Sequence, residues 1–309
     1  MIDVYYLETQ YDYKSHDMVI LELVLFLKKY YNANVIHQKG GHLEISKFNY
    51  RLPDCELLFY DNENDILRGI SFSDAASGIQ DIFLQRNKKN DVLLISQIFN
   101  FFSPTFDFSK LNCTISKSIY VTATPFVNYD IFYNKRRLLN EFVDKMYFKG
   151  NIDGIGRFSV YDLLKTNYFY GGPGDQNANN YFEEVIKHKV GLSIPGVGEL
   201  CYRDMEYMAV GTPLLKFEYI SNLNPPLIPN FHYISINRTN ELAENMVSER
   251  LGGEIYANAY VKRFLEVKDD FVFLEFISKN AKDYYESYLS PLNRLKHLIF
   301  LLKINKPNF

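Results

Sequence analysis

The chain has 309 residues, 47% hydrophobic and 23% charged, with a formal net charge of −3. That length and composition suit two domains with sizeable cores and exclude a disordered chain. The slight acidity excludes a protein that coats nucleic acid through bulk charge, while leaving room for a local basic groove.

Twenty-five Tyr, 25 Phe and no Trp, with plentiful Asn, Lys and Ile, point to an AT-rich genome and not to a function. The three cysteines, Cys55, Cys113 and Cys201, are far apart and odd in number. They give neither a metal-ligand spacing nor a disulfide framework, and a reducing compartment is expected. The opening MIDVYYLETQ reads as a first strand, without the basic leader or cleavage site of a signal peptide. The most apolar runs, 18–27 and 298–302, are too short to span a bilayer. A soluble, cytoplasmic chain is the expectation.

In chain order, Val4–Glu8 predicts a strand. Ser15 can cap a helix running to about Tyr31, apolar nearly all round and so expected to be well buried. Short strands follow at 34–37, 56–60, 66–72, 92–96 and 118–123, with Gly40-Gly41-His42 as a turn. Helices are expected at 77–86 and 129–145. The pattern then restarts: strand 145–148 ending in Gly150, helix 160–165, strand 168–170, helix 177–188, strand 190–194, helix 200–210 and strand 213–217. Strand 233–236 and a helix at 239–250 complete it, and the chain from about Tyr256 reads as helices, with Pro291 opening or kinking one. Alternating strands and helices predict parallel sheets covered by helices. The fold class is therefore α/β, in two Rossmann-like domains at 1–130 and 131–255, followed by helices at 256–309 that pack across or back onto them.

Ligands of open α/β sheets sit beyond the carboxyl ends of the strands. There, strand 190–194 runs into Pro195-Gly196-Val197-Gly198, and Arg203 and Glu206 follow on a helix. Glycines allow close backbone approach, and a helix N-terminus favours an anion. The i, i+3 spacing puts Arg203 and Glu206 on one face. An arginine can fork onto phosphate, and a carboxylate can accept from two sugar hydroxyls. The same spacing also fits an ordinary surface ion pair behind an ordinary turn, and the turn is neither GxGxxG nor a P-loop.

Pro195-Gly196-x-Gly198, Tyr202-Arg203-x-x-Glu206 and Gly211-Thr212-Pro213-Leu214-Leu215 together resemble the nucleotide-sugar motif of GT-B glycosyltransferases, whose two Rossmann-like domains face a cleft. The likeness is to exostosin-like and capsule-associated-protein-like enzymes and, more distantly, to phage DNA β-glucosyltransferases. It covers roughly 147–246. It implies that Arg203 contacts the donor diphosphate and Glu206 the ribose. Tyr147-Phe148-Lys149-Gly150, with Arg157 beyond, resembles the element that opens the donor domain and implies a phosphate role for Arg157. Tyr168-Phe169-Tyr170-Gly171-Gly172 takes the place of the loop that receives the base. Gly150, Gly171, Gly172, Gly196, Gly198 and Glu199 join Arg157, Arg203 and Glu206 as the expected donor-binding set. Cys201-Tyr202 departs from the usual small or hydroxyl residues before the arginine, which bears on the packing beneath the phosphates.

The expected enzyme is an inverting, metal-independent transferase. Such chemistry needs a base for the acceptor hydroxyl and cations for the departing diphosphate. Asp74, after Ile70-Ser71-Phe72-Ser73, resembles the base of the phage enzymes and is the first choice, although it also fits an N-cap for a helix at 75–86. His16, in the first strand-to-helix loop, is the second; His188 reads as structural. No Asp-x-Asp follows a strand, and Asp269-Asp270 reads as a solvated pair, so no metal or other cofactor is expected beyond a nucleotide-diphosphate sugar, UDP-sugar first. The expected acceptor is a glycan or glycoprotein. DNA ranks lower, because Lys135-Arg136-Arg137 is the one compact basic run. A non-catalytic nucleotide- or carbohydrate-binding module is the alternative from another class.

Overall fold

The structure, a computed structural model, describes residues 2–8, 24–39, 42–45, 50–53, 57–61, 66–71, 92–96, 119–121, 142–150, 159–172, 178–194, 202–219, 225–237 and 252–301. The helices expected at 77–86 and 239–250 lie outside these residues. The chain divides into two compact units. One comprises Met1–Asn128 with Ser221–Pro225 and Pro291–Phe309; the other comprises Tyr129–Ile220 with Pro226–Ser290.

The first unit holds strands β1 (Ile2–Glu8), β2 (Asn34–Lys39), β5 (Leu57–Asp61), β6 (Ile66–Ser71), β7 (Val92–Ser96) and β8 (Ile119–Val121). They form one sheet in the order β2-β1-β5-β6-β7-β8. It is mixed, not purely parallel as the alternation predicts: β5 runs antiparallel to both β1 and β6. Chain length explains the turn-back. Four residues, 62–65, join Asp61 to Ile66, enough for a hairpin and far too few for a crossover. A separate hairpin pairs β3 (His42–Ile45) with β4 (Tyr50–Pro53), so His42 opens a strand where a turn is expected. The helix before β2, α1, is described over residues 24–31. It buries Val24 and Leu27 but exposes Leu25, Lys28, Lys29 and Tyr30, a one-sided helix and not the all-round burial its composition suggests.

The second unit is built on an all-parallel five-stranded sheet of β9 (Val143–Lys149), β10 (Phe169–Gly172), β11 (His188–Leu192), β12 (Leu214–Phe217) and β13 (Ile234–Ile236). The order is β10-β9-β11-β12-β13. Between the strands run α2 (Ser159–Leu163), α3 (Ala178–Lys187) and α4 (Tyr202–Val210). These bounds follow the sequence expectation closely. The differences are that Val143–Lys145 belong to β9 and not to a preceding helix, and that His188 starts β11. Pairing of Val143 with His188 extends both strands. β11 is central and buried throughout.

Two long helices follow, α5 (Gly252–Val267) and α6 (Phe271–Tyr284), then a π-helical turn at Tyr285–Leu289. Tyr260, Phe264 and Val267 of α5 and Leu274 and Ile277 of α6 join Met146, Phe148, Val190, Leu192, Leu215 and Ile234 of the strands in one core. Asp270 caps α6, accepting from Phe273 N at 2.9 Å. Asp269 pairs with Lys268 at 3.0 Å. The two adjacent acids are therefore used, one by a helix end and one by an ion pair. The last described helix, α7 (Pro291–Leu301), belongs to the first unit. Among the described residues no helix is long and apolar enough to cross a membrane.

The strand β13 is entered through a tight turn held by a histidine. His232 Nδ1 accepts from Ile228 N at 2.9 Å, so the ring is neutral with its proton on Nε2. Burial pushes its pKa down to about 4. His188 is also buried and its pKa is lowered by desolvation, although Nδ1 donates to Glu184 O at 2.6 Å. Both rings are held neutral in the fold, while in the unfolded chain they charge near pH 6.5. The His232 contribution is complete above that pH and is lost as pH falls from 6.5 towards 4, and the lowered pKa of His188 adds in the same direction. Stability should decline over this window in urea titrations. His232→Asn, whose side-chain oxygen can replace the Nδ1 acceptor, should flatten the decline.

Candidate functional site

In the second unit the first strand, β9, has β10 on one side and β11 on the other. The chain reverses direction across the sheet here, and such a switch point opens a crevice at the carboxyl ends of the strands. Arg203, in the first turn of α4, lies at this place. Its Nε and Nη2 donate to Lys149 O, the last carbonyl of β9, at 3.1 and 2.9 Å. Its guanidinium carbon lies 4.4 Å from the centroid of the Phe148 ring. A Cβ on Gly150 would stand 1.5 Å from Arg203 Nη2. Gly150 is thus glycine because the guanidinium occupies the side-chain space.

The neighbouring strand end closes against the same residues. Gly150 N donates to Gly172 O at 3.2 Å. Gly171 has φ +128° and lies so close to β9 that a Cβ would meet Phe148 O at 1.7 Å. Gly150, Gly171, Gly172 and Arg203, four of the expected donor-binding residues, therefore form one packed group. Tyr170, half-exposed beside it, stacks on the buried His188 with centroids 5.0 Å apart and planes 21° apart.

Glu206 stands one turn further along α4 and is the partly exposed residue among buried neighbours. Tyr181 of α3 donates to its Oε2 at 2.6 Å. Burial, then the Glu206 carboxylate, drives the Tyr181 pKa well up, so the phenol stays a donor. Tyr207 O–H donates to Tyr147 O at 3.3 Å, a further link from α4 to β9.

Below these residues lies a polar group that sequence reasoning missed. Asp204 and Lys216 are both fully buried and pair at 2.7 Å. Tyr219 O–H donates to Asp204 Oδ2 at 2.7 Å, and Ser193 Oγ donates to Asp204 Oδ1. The Lys216 ammonium also lies 3.7 Å from the centroid of the Tyr219 ring. Tyr260 of α5 donates to Ser193 O at 3.1 Å. The signal was present in Leu214-Leu215-Lys216-Phe217: a lysine inside an apolar strand demands a buried acid.

α4 ends in a Schellman turn. Gly211, φ +77°, donates to Met208 O at 3.2 Å, and Thr212 N to Tyr207 O at 2.9 Å. Ser278 of α6 donates from Oγ to Gly211 O. Gly211-Thr212-Pro213 is therefore the stop of the site helix.

His16, Asp74, Arg157, Gly196, Gly198 and Glu199 lie outside the described residues. Among the described residues no three His, Cys, Asp or Glu side chains converge as a metal site. A cavity of about 430 Å3 opens at the opposite edge of the sheet, along β13, lined by Asn230, Ser235, Lys262, Arg263 and Glu266. Arg263 closes that edge by donating from Nε to Ser235 O at 3.0 Å and from Nη2 to Asn230 Oδ1 at 3.0 Å.

No protein-family model and no curated protein matches the chain. Solved structures do. A glycosyltransferase from Rickettsia africae ESF-5 aligns over 97% of this chain and 98% of its own, with TM-score 0.51 and 10% identity. The fold is shared with a glycosyltransferase. The pneumococcal O-GlcNAc transferase GtfA, solved with UDP and GlcNAc, aligns over 74% of this chain and 56% of its own at TM-score 0.41 and 11% identity. The lipopolysaccharide outer core galactosyltransferase WaaB aligns over 91% and 99% at TM-score 0.40 and 10% identity. Of the three, the Rickettsia protein speaks for the fold.

Two stability predictions follow from the packing. Gly150→Ala should cost about 1–3 kcal/mol, because it drives the guanidinium off Lys149 O. The same change in an Arg203→Ala background should cost little, a coupling that a double-mutant cycle in urea measures. Lys216→Met, which leaves Asp204 buried without its counter-ion, should cost about 3 kcal/mol in the same assay.

Proposed function

We propose that the chain transfers a glycosyl group from a nucleotide-diphosphate sugar to an acceptor hydroxyl. The observation that carries the reading is the group at the switch point: Arg203 fixed over Gly150, the tandem Gly171-Gly172 beside it, and Glu206 one turn along the same helix with its carboxylate held by Tyr181. An anchored guanidinium offers a preorganised cation to a diphosphate. A partly exposed carboxylate set by a phenol suits vicinal ribose hydroxyls. Tyr170 beside Gly171 suits the nucleotide base. The fold shared with the Rickettsia enzyme supports the same class.

In this reading Arg203 and Arg157 take up charge as the diphosphate departs. A base from the first unit, Asp74 first and His16 second, accepts the proton of the attacking hydroxyl. The transfer inverts configuration and runs without a metal ion, with the cations and the helix N-terminus in the metal's role. UDP-sugar is the first donor to test, and a glycan or glycoprotein the first acceptor. The likeness to exostosin-like and phage enzymes rests on the motif residues.

Thermal shift against a panel of nucleotide diphosphates and their sugars tests the donor. One of them should raise the melting temperature. Glu206→Ala should bind it roughly 10- to 100-fold more weakly without loss of fold. Transfer or hydrolysis of the labelled donor should persist in EDTA. If no nucleotide raises the melting temperature, or Glu206→Ala binds as the parent does, the assignment fails. Binding with no turnover would mark a non-catalytic module.

A further inference from the structure

The charges of the chain are unevenly placed. Residues 287–309 contain four cations, Arg294, Lys296, Lys303 and Lys306, and no Asp or Glu. The whole chain has 34 Lys and Arg against 37 Asp and Glu. The remainder is thus left with 30 against 37, clearly acidic. Within the basic segment lies α7, and two large apolar side chains stand on its exposed side. Leu292 is 55% exposed and Phe300 73% exposed, two turns apart, with exposed Lys296 between them. Leu295 and Ile299, beside that stripe, are buried and hold the helix to the protein.

An exposed Leu–Lys–Phe line on a helix anchored by its adjacent face has the character of a surface that lies flat on a bilayer. Apolar tips enter the acyl boundary, while the lysine stem reaches back to the headgroups. Nucleic acid would use the cations but leave Leu292 and Phe300 in water. A soluble acidic partner would be drawn by the cations and would gain little from Leu292 and Phe300, which stand two turns apart. We infer that α7 is a docking helix for membranes rich in anionic lipid, seated on Leu292 and Phe300 and attracted by the acid-free run of cations. This surface is independent of the sugar-transfer reading. It would hold the protein at a bilayer as a peripheral guest.

Vesicle flotation of the full chain tests it, with vesicles of pure phosphatidylcholine and of phosphatidylcholine containing phosphatidylglycerol. The chain should float with the anionic vesicles alone, and the association should weaken steeply with added salt. Lys296→Glu, which reverses one charge, should weaken binding roughly tenfold or more. Leu292→Ser/Phe300→Ser keeps every cation and should abolish flotation, with an unchanged melting temperature as the control for folding. If the chain does not float, or the double serine variant floats as the parent does, the inference is overturned. Equal binding to neutral vesicles, or salt-sensitive binding to a duplex DNA in place of vesicles, overturns it as well.

Discussion

The buried pair of Asp204 and Lys216 is the constraint on which the second unit turns. An aspartate and a lysine taken wholly out of water repay their desolvation only when their remaining valences are filled. Here Ser193 and Tyr219 add two hydroxyl donors to the Asp204 carboxylate. The partners come from the residue after β11, from β12 and from the segment after it, so a single carboxylate ties the first turn of α4 to the ends of two strands. Arg203 is the preceding residue. Its reach to Lys149 O on a third strand, β9, is set by the same anchorage. The two charges on consecutive residues thus work in opposite directions, one down into the core and one up to the strand ends.

Much of this unit was legible in the sequence, because its signals are local. Apolar runs of three to five residues, most of them near a glycine, marked β9 to β13, and Arg203 and Glu206 could be placed on one helix face by counting. What counting missed is pairing. Nothing in the text of β11 or β12 says which acid meets Lys216, since the bond joins residues 12 apart through the fold. Tyr181, 25 residues before Glu206, was invisible for the same reason. In the first unit the turn-back at β5 was readable: Asp61 and Ile66 are too near for a crossover. The alternation of strand and helix overrode that cue. The exposed Leu25 shows that an apolar residue count does not give the orientation of a helix. His16, Asp74, Arg157 and the Pro195–Glu199 turn belong to the sequence reading alone.

The arginine at the switch point has a double character. Its Nε and Nη2 complete the end of β9, a structural task that any ligand site must respect. Its position at the crevice is the one that the proposed phosphate role requires. These are compatible: a guanidinium pinned by a carbonyl below it cannot swing, and a cation that does not reorganise is the more effective partner for developing charge. Glu206 repeats the arrangement with opposite sign, its carboxylate fixed by a phenol that burial keeps protonated.

The contact between Arg203 and Gly150 also bears on the history of the chain. The two positions are 53 residues apart, yet they share one volume, and residue 150 cannot gain a side chain while the arginine keeps its place. Relatives that keep the arginine must keep glycine at 150, while those with any side chain there must shorten or redirect residue 203. Paired variation at these two sites is therefore a sieve for distant kin that overall identity, at a tenth of positions, cannot provide.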